Sequence, residues 1–150
     1  MVEQRFMPET SDTGNLTEAK VIVALVEAGY LVSQPFGGGH KYDLVADNGQ
    51  KLYRVQCKTG RVRNGVLIFN AYSVPGNKAK KCDYRGLADL FAVLNPMDGR
   101  VFLVPVNDVG TTEVSLRLLP TGNGQSQRIR WAAQYVLRSI SGNDARVTQW

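Results

Sequence analysis

Asn48-Gly49 stands between two runs that alternate apolar and polar residues, 42–47 and 50–59. Asn-Gly tolerates the positive φ angles of a tight turn, so the pattern commits the middle of the chain to a β-hairpin. A two-residue loop sets Asp47 against Gln50 and Asp43 against Arg54. Side chains alternate along a strand, so Asp43, Arg54, Gln56 and Lys58 share one face, and Leu44, Ala46, Tyr53, Val55 and Cys57 share the other. The apolar set is expected to face the core. A carboxylate, an amide and a lysine then meet on the opposite side, with Gln56 diagonal to Asp43. A three-residue loop would reverse this parity, so the reading depends on the turn.

Elsewhere the order is helix, several strands, helix. Residues 1–14 show little periodicity and read as a lead-in. Asn15 followed by Glu18 fits a capping box, which predicts a helix over 16–28 ended by Gly29. That helix is apolar almost all round, so it is expected to lie buried under a sheet. Further strands are expected at 31–36, 66–72, 87–94, 100–106 and 113–119, the 87–94 run apolar enough to be central. Residues 73–85 read as a basic loop. Ile129, Ala132, Ala133, Val136 and Leu137 keep helical spacing and predict a helix over 127–139. The expected class is α/β or α+β around one mixed sheet.

The chain has 150 residues, 43% of them apolar, which suits one domain spanning 1–150. No stretch approaches the ~18 apolar residues of a membrane span, and no basic helical stripe marks a membrane surface. Two cysteines and no export signal predict reduced thiols and a cytoplasmic setting. Net charge is +5, unevenly spread. Residues 48–82 hold Lys51, Arg54, Lys58, Arg61, Arg63, Lys78, Lys80 and Lys81 and no acid. That is +8 locally and leaves −3 for the rest. Such a zone is the footprint of a polyanion, most often nucleic acid.

The polar face of the hairpin has two readings. One is a solvated strand with an Asp43–Arg54 cross-strand pair, worth less than about 1 kcal/mol. The other is a metal site: Mg²⁺ takes hard oxygen ligands, often one or two carboxylates with waters and phosphate oxygens. A nearby lysine can steady a water and neutralise charge on the phosphate.

These residues resemble the core of the PD-(D/E)XK nucleases, whose pattern is an Asp opening one strand and (Asp/Glu)-X-Lys on the next. Phe36-Gly37, Tyr42-Asp43-Leu44-Val45, Val55-Gln56-Cys57-Lys58-Thr59-Gly60, Asp89-Leu90-Phe91-Ala92-Val93 and Val104-Pro105-Val106 follow in the family's order. More narrowly, the chain is similar to the group I intron-encoded homing endonucleases of this class found in cyanobacteria. The resemblance implies a restriction-endonuclease-like core, a mixed sheet flanked by helices. It implies a Mg²⁺-dependent, site-specific double-stranded DNA endonuclease, with Mn²⁺ able to substitute. Asp43 would be the main metal ligand, the Cys57 backbone carbonyl and Gln56 further ligands, and Lys58 the group that orients the attacking water. Glu18 would match the family's helix carboxylate. Two positions depart from the pattern. Gln56 stands where Asp or Glu is usual and adds no negative charge, so metal affinity is expected to be lower. Tyr42 stands where the nominal Pro would be. A structure-selective Holliday junction resolvase and a non-catalytic DNA-binding module remain alternatives on the same fold.

Other residues complete the picture. Arg61, Arg63 and Asn64 flank a turn able to enter a major groove about 12 Å wide, while Lys78, Lys80, Lys81 and Arg85 are expected to meet phosphates. His40, Cys57 and Cys82 lack zinc-ligand spacing. No P-loop pattern occurs, so a nucleotide cofactor is unsupported. A chain this long is roughly 35–40 Å across and covers about one turn of DNA. One site per chain cuts one strand, so a double-strand break needs at least a homodimer. The resemblance suggests a tetramer.

Overall fold

The computed structural model describes residues 10–74, 80–124 and 127–140. Helix α1 (Thr10–Glu27) precedes β1 (Leu31–Ser33), β2 (Leu44–Asp47), β3 (Leu52–Thr59), β4 (Arg61–Arg63) and β5 (Val66–Asn70). β6 (Tyr72–Ser73), β7 (Cys82–Asp83), β8 (Leu90–Leu94), β9 (Val101–Pro105) and β10 (Glu113–Arg117) follow. Five strands form a mixed sheet in the order β1-β2-β3-β8-β9, in which only β3 and β8 run parallel. A small antiparallel sheet, β10-β5-β4, is built largely from the connection between those two strands, and β6 pairs with β7.

All five residues of β8 are buried, as its unbroken apolar run predicts for a strand covered on both faces. Leu90, Ala92 and Leu94 turn to one face and pack with Val21 and Leu25 of α1. Phe91 and Val93 turn to the other and pack with Leu67, Phe69, Val114 and Leu116 of the small sheet. The molecule is thus helix, five-stranded sheet, three-stranded sheet. This is the expected mixed sheet of a restriction-endonuclease-like core, with α1 on one face and the small sheet on the other.

The expected helix over 127–139 is absent. The segment instead holds a single 3-10 turn at Ala132–Gln134 and two isolated bridges, Arg117 with Trp131 and Phe102 with Val136. The Leu103 N–H donates to the Tyr135 carbonyl and the Leu137 N–H to the Val101 carbonyl. Val136 packs in one core and Leu137 in the other, as neighbours on a strand do. The open edge of β9 satisfies these backbone groups, and that outweighs helical spacing.

Helix α1 starts six residues earlier than expected, and the 10–14 part of the predicted lead-in belongs to it; residues 1–9 lie outside the described residues. Asn15 and Glu18 therefore sit inside the helix, so they form no capping box. Thr17 is buried, and its hydroxyl is hydrogen-bonded to that of Thr59 on β3 at 2.6 Å. With Val21, Leu25 and Ala28 it makes one buried stripe. Leu16, Val23 and Val26 on the opposite side are more than half exposed, so the helix lies on the sheet rather than inside the core. Gly29, at φ +99, ends it: its N–H donates to Val26, and that of Tyr30 to Leu25.

The hairpin loop is longer than two residues. Asp47 pairs with Leu52, and the Asn48 side chain accepts from the N–H groups of Gln50 and Lys51 inside a four-residue loop. The register moves by two, an even number, so every side chain of the paired strands keeps its predicted face. The compact Asn-Gly turn lies instead at Asn64-Gly65, where both residues have positive φ and Arg63 pairs with Val66.

Arg54 pairs with Asp89, at 3.0 Å, and not with Asp43. The Asp89 carboxylate also accepts from the Arg54 N–H at 2.7 Å, and Asp89 returns its own N–H to the Arg54 carbonyl. This clasp fixes the start of the parallel β3–β8 pairing. The hydrogen bond from Arg54 holds the Asp89 carboxyl below its usual 3.8. A depressed carboxylate contributes stability above its unfolded pKa and loses it as pH falls through the folded one. Asp89→Asn is therefore expected to flatten the acid limb of the stability curve. Thermal unfolding measured from about pH 7 down to about pH 3 checks this, and an unchanged slope would remove the clasp from the account.

Candidate active site

β2 begins at Leu44, opposite Val55, and β3 runs on through Thr59. Along β3, the backbone groups of alternate residues point to the same neighbour. The Val55 carbonyl accepts from the Asp43 N–H at 2.8 Å on the β2 side. Cys57 is the next residue to face that way, and no strand meets it. The Asp43 side chain fills the gap: its Oδ2 accepts from the Cys57 N–H at 2.9 Å. The Cys57 carbonyl opens in the same direction, met by the Gln56 amide nitrogen at 3.4 Å. A carboxylate, a backbone carbonyl and an amide converge because β2 stops short of β3. Strand pairing ends at Leu44 and Val55, and Asp43 meets the 56–58 run through its side chain, at the Cys57 N–H.

Lys58 points from β3 towards the small-sheet side. Its Nζ donates to the Tyr72 carbonyl at 2.9 Å and to the Tyr84 hydroxyl at 3.3 Å, and lies 4.7 Å from the Tyr84 ring centroid. Burial pushes its pKa down to about 8, against the opposing pull of Asp43. Burial likewise raises the Asp43 carboxyl, although the Cys57 N–H and the Lys58 charge favour its anion. No direct ion pair joins the two among the described residues. Tyr72 and Tyr84 carry no motif, and nothing in the sequence marks them as partners of Lys58.

Glu18 reaches the same place from α1. It accepts from the Gln34 amide at 2.8 Å and lines an open cavity of about 370 Å³ with Asp43, Tyr42, His40 and the 37–39 glycines. The Cys57 thiol belongs to the α1-side core, and burial pushes its pKa up, which leaves the backbone carbonyl as the group Cys57 offers.

The oxygens present belong to two carboxylates and one carbonyl, and the Gln56 amide can add its own by turning its nitrogen off the Cys57 carbonyl. They suit a hard divalent cation, with water and phosphate oxygens completing its shell. Among the described residues no three His, Cys, Asp or Glu side chains cluster tightly enough to hold a metal by themselves. The set therefore fits a cation shared with substrate better than a closed structural site.

The other predicted residues are placed as follows. Arg61, Arg63 and Asn64 form the β4–β5 hairpin. Lys81 stacks over the Tyr72 ring at 4.3 Å, beside the carbonyl that anchors Lys58. Arg85 reaches the Val109 carbonyl at 3.4 Å, and Lys80 is exposed. Arg54 spends its guanidinium on Asp89 and the Gly86 carbonyl. Lys78 lies outside the described residues.

A mixed sheet that ends one strand early and sets Asp43 against Gln56-Cys57-Lys58 defines a nuclease core. The PD-(D/E)XK endonuclease family model matches residues 8–138, and the chain belongs to that family. It is an endonuclease of a class that acts on DNA and generally uses divalent metals. Among solved structures it is similar to a bacterial homing endonuclease, I-Ssp6803I, at 21% identity and a TM-score of 0.64, over 87% of this chain and 88% of that one. No curated protein matches the chain.

Proposed function

We propose that the protein is a Mg²⁺-dependent, site-specific endonuclease that cuts double-stranded DNA as a homo-oligomer and leaves 5′-phosphates, with a homing role like that of I-Ssp6803I. The convergence of Asp43, the Cys57 carbonyl and Gln56 beside a half-buried Lys58 carries this reading. Asp43, Glu18, Gln56 and the Cys57 carbonyl would hold the cation, which supplies positive charge to the phosphate and acidifies a water.

The chain's own groups do the positioning. The Cys57 N–H fixes one Asp43 oxygen and leaves the other free to turn outward. Tyr72 and Tyr84 orient the Lys58 ammonium, and its lowered pKa lets it exchange a proton with a bound water near neutral pH. Its positive form offsets charge that builds on the phosphate.

Purified protein is expected to cut plasmid or genomic DNA in Mg²⁺, with EDTA stopping the reaction. No cleavage in Mg²⁺ or Mn²⁺ would leave a DNA-binding module. Preference for a branched over a linear substrate would point to a resolvase. Gln56 gives a finer test. Gln56→Glu adds a negative charge to the donor set, so it is expected to keep cleavage and lower the Mg²⁺ concentration at half-maximal rate. A titration in which that concentration rises, or activity vanishes, removes Gln56 from the ligand set.

A further inference from the structure

The outer face of the small sheet collects arginines from both halves of the chain. Arg63 on β4 and Arg117 on β10 both pair with Val66 of β5. Arg61 and Ser115 flank Ile68 in the next row. The alternate residues Leu67, Phe69, Val114 and Leu116 are buried, so Arg61, Arg63 and Arg117 project away from the core. The bridge between Arg117 and Trp131 brings the segment before Trp131 alongside. Arg128, Arg130 and Ser115 line two adjoining depressions of about 570 and 220 Å³. Arg61, Arg63, Arg117, Arg128 and Arg130 thus share this face, where Arg61 pairs with Glu113 at 3.0 Å and Arg130 meets the backbone of Asp108.

How these arginines are held is informative. Arg117 donates to the carbonyls of Leu119 and Pro120, at 2.6 and 3.2 Å, and Arg130 to the carbonyl of Asp108 at 3.1 Å. Neutral acceptors orient a guanidinium without cancelling its charge. Arg54 and Arg100, by contrast, pair with the carboxylates of Asp89 and Asp98. Arg128 stands at φ +58, a left-handed conformation that Gly or Asn adopts more readily. Asn64 is the other described non-glycine residue there.

The face also has a suitable direction and reach. β3 turns Lys58 towards the small-sheet layer, and the small sheet turns its arginines farther out the same way. From Tyr72, which anchors Lys58, the chain leads back through a bend at Ala71 to Ile68 and Val66, a span of at most about 20 Å. That equals at most roughly six base steps of duplex.

We infer that this arginine face docks the phosphate backbone of the DNA within about six base steps of the cut, positioning the duplex without reading its bases. The inference rests on the endonuclease reading, and two separate measurements distinguish them. Binding is read in EDTA, by anisotropy of a labelled mixed-sequence duplex across a salt series. Cleavage is read in Mg²⁺.

Arg128→Gly removes a charge and relieves the left-handed backbone. It is expected to unfold at or above the wild-type temperature, yet to bind more weakly, with the slope of log affinity against log salt reduced by about 0.9. The combined Arg117→Gln, Arg128→Gly and Arg130→Gln variant is expected to reduce it by about 2–3, and Arg128→Lys to restore the single loss. Unchanged affinity and slope in Arg128→Gly and the combined variant would overturn the inference. So would a changed sedimentation coefficient with DNA affinity intact, which would assign the face to contacts between copies. Arginine-dependent binding without cleavage would sink the endonuclease reading alone.

Discussion

Asp43→Ala and Lys58→Ala are each expected to lower plasmid cleavage by about a thousandfold or more while leaving DNA binding near wild type. Asp43 does two things at once. It closes the backbone gap left by the end of β2, through the Cys57 N–H, and it supplies the central carboxylate of the oxygen cluster. Lys58 brings a half-buried cation to that cluster, aimed by Tyr72 and Tyr84. Neither side chain belongs to the arginine face, so loss of cleavage and loss of binding should separate. The stability effects sharpen the test. Burial disfavours the charged form of both groups. For Lys58 the unfolded chain binds the proton more readily between about pH 8 and 10.5, so stability rises with pH across that window. Lys58→Met, which keeps the bulk and drops the charge, is expected to be inactive yet more stable at pH 7 in metal-free buffer, on the order of 1–3 kcal/mol. A Lys58 variant that is unfolded, or that still cuts at the wild-type rate, would count against the assignment.

Phe91→Ala carries the largest expected cost in stability, about 3–5 kcal/mol. Phe91 is 1% exposed in the central strand β8. Its ring meets Phe69 and Tyr84 edge-on, with centroids 5.4 and 5.5 Å apart. Truncation leaves a cavity between the two sheets, where neither layer can move in without breaking strand pairing. The damage should also reach the chemistry, because Tyr84 carries the hydroxyl that helps aim Lys58. Phe91→Leu fills most of the space and is expected to cost less. Denaturant unfolding gives the stability change, and cleavage measured well below the unfolding midpoint gives the effect on the site. If Phe91→Leu keeps full stability but cuts slowly, the ring's contact with Tyr84 is what matters. If both variants are destabilised yet cut at the wild-type rate when folded, Tyr84 does not position Lys58.

The pairing of a short Asp-bearing strand with Gln56-Cys57-Lys58 was legible because strand parity is robust. The loop is four residues rather than two, yet an even shift leaves Arg54, Gln56 and Lys58 on one face and Tyr53 and Val55 in the core, with Asp43 reaching the Cys57 N–H where the pairing ends. The central position of β8 was legible for a similar reason, since a strand buried on both faces has no polar positions to spare. The ends of α1 show both sides of the matter. Gly29 was readable as a stop because φ +99 suits glycine. The start was not, because the helix runs on from Asn15 back to Thr10, so the residue that resembles a cap sits inside it. The 127–139 segment misled by spacing alone: the free edge of β9 offered its backbone partners that no periodicity reveals.

By itself the sequence determined the alternation of the hairpin, the residues that face the candidate site and a basic zone at 48–82. These are local properties, set by side-chain period and turn chemistry over a few residues. Only the tertiary structure decided that Arg54 belongs to Asp89, that Tyr72 and Tyr84 hold Lys58, and that Glu18 lines the Asp43 cavity. It alone carried Arg117, Arg128 and Arg130 from the net-negative remainder of the chain to the side of the basic hairpin. Those arrangements depend on contacts between residues far apart in sequence, and such contacts form only when two layers close on the central sheet.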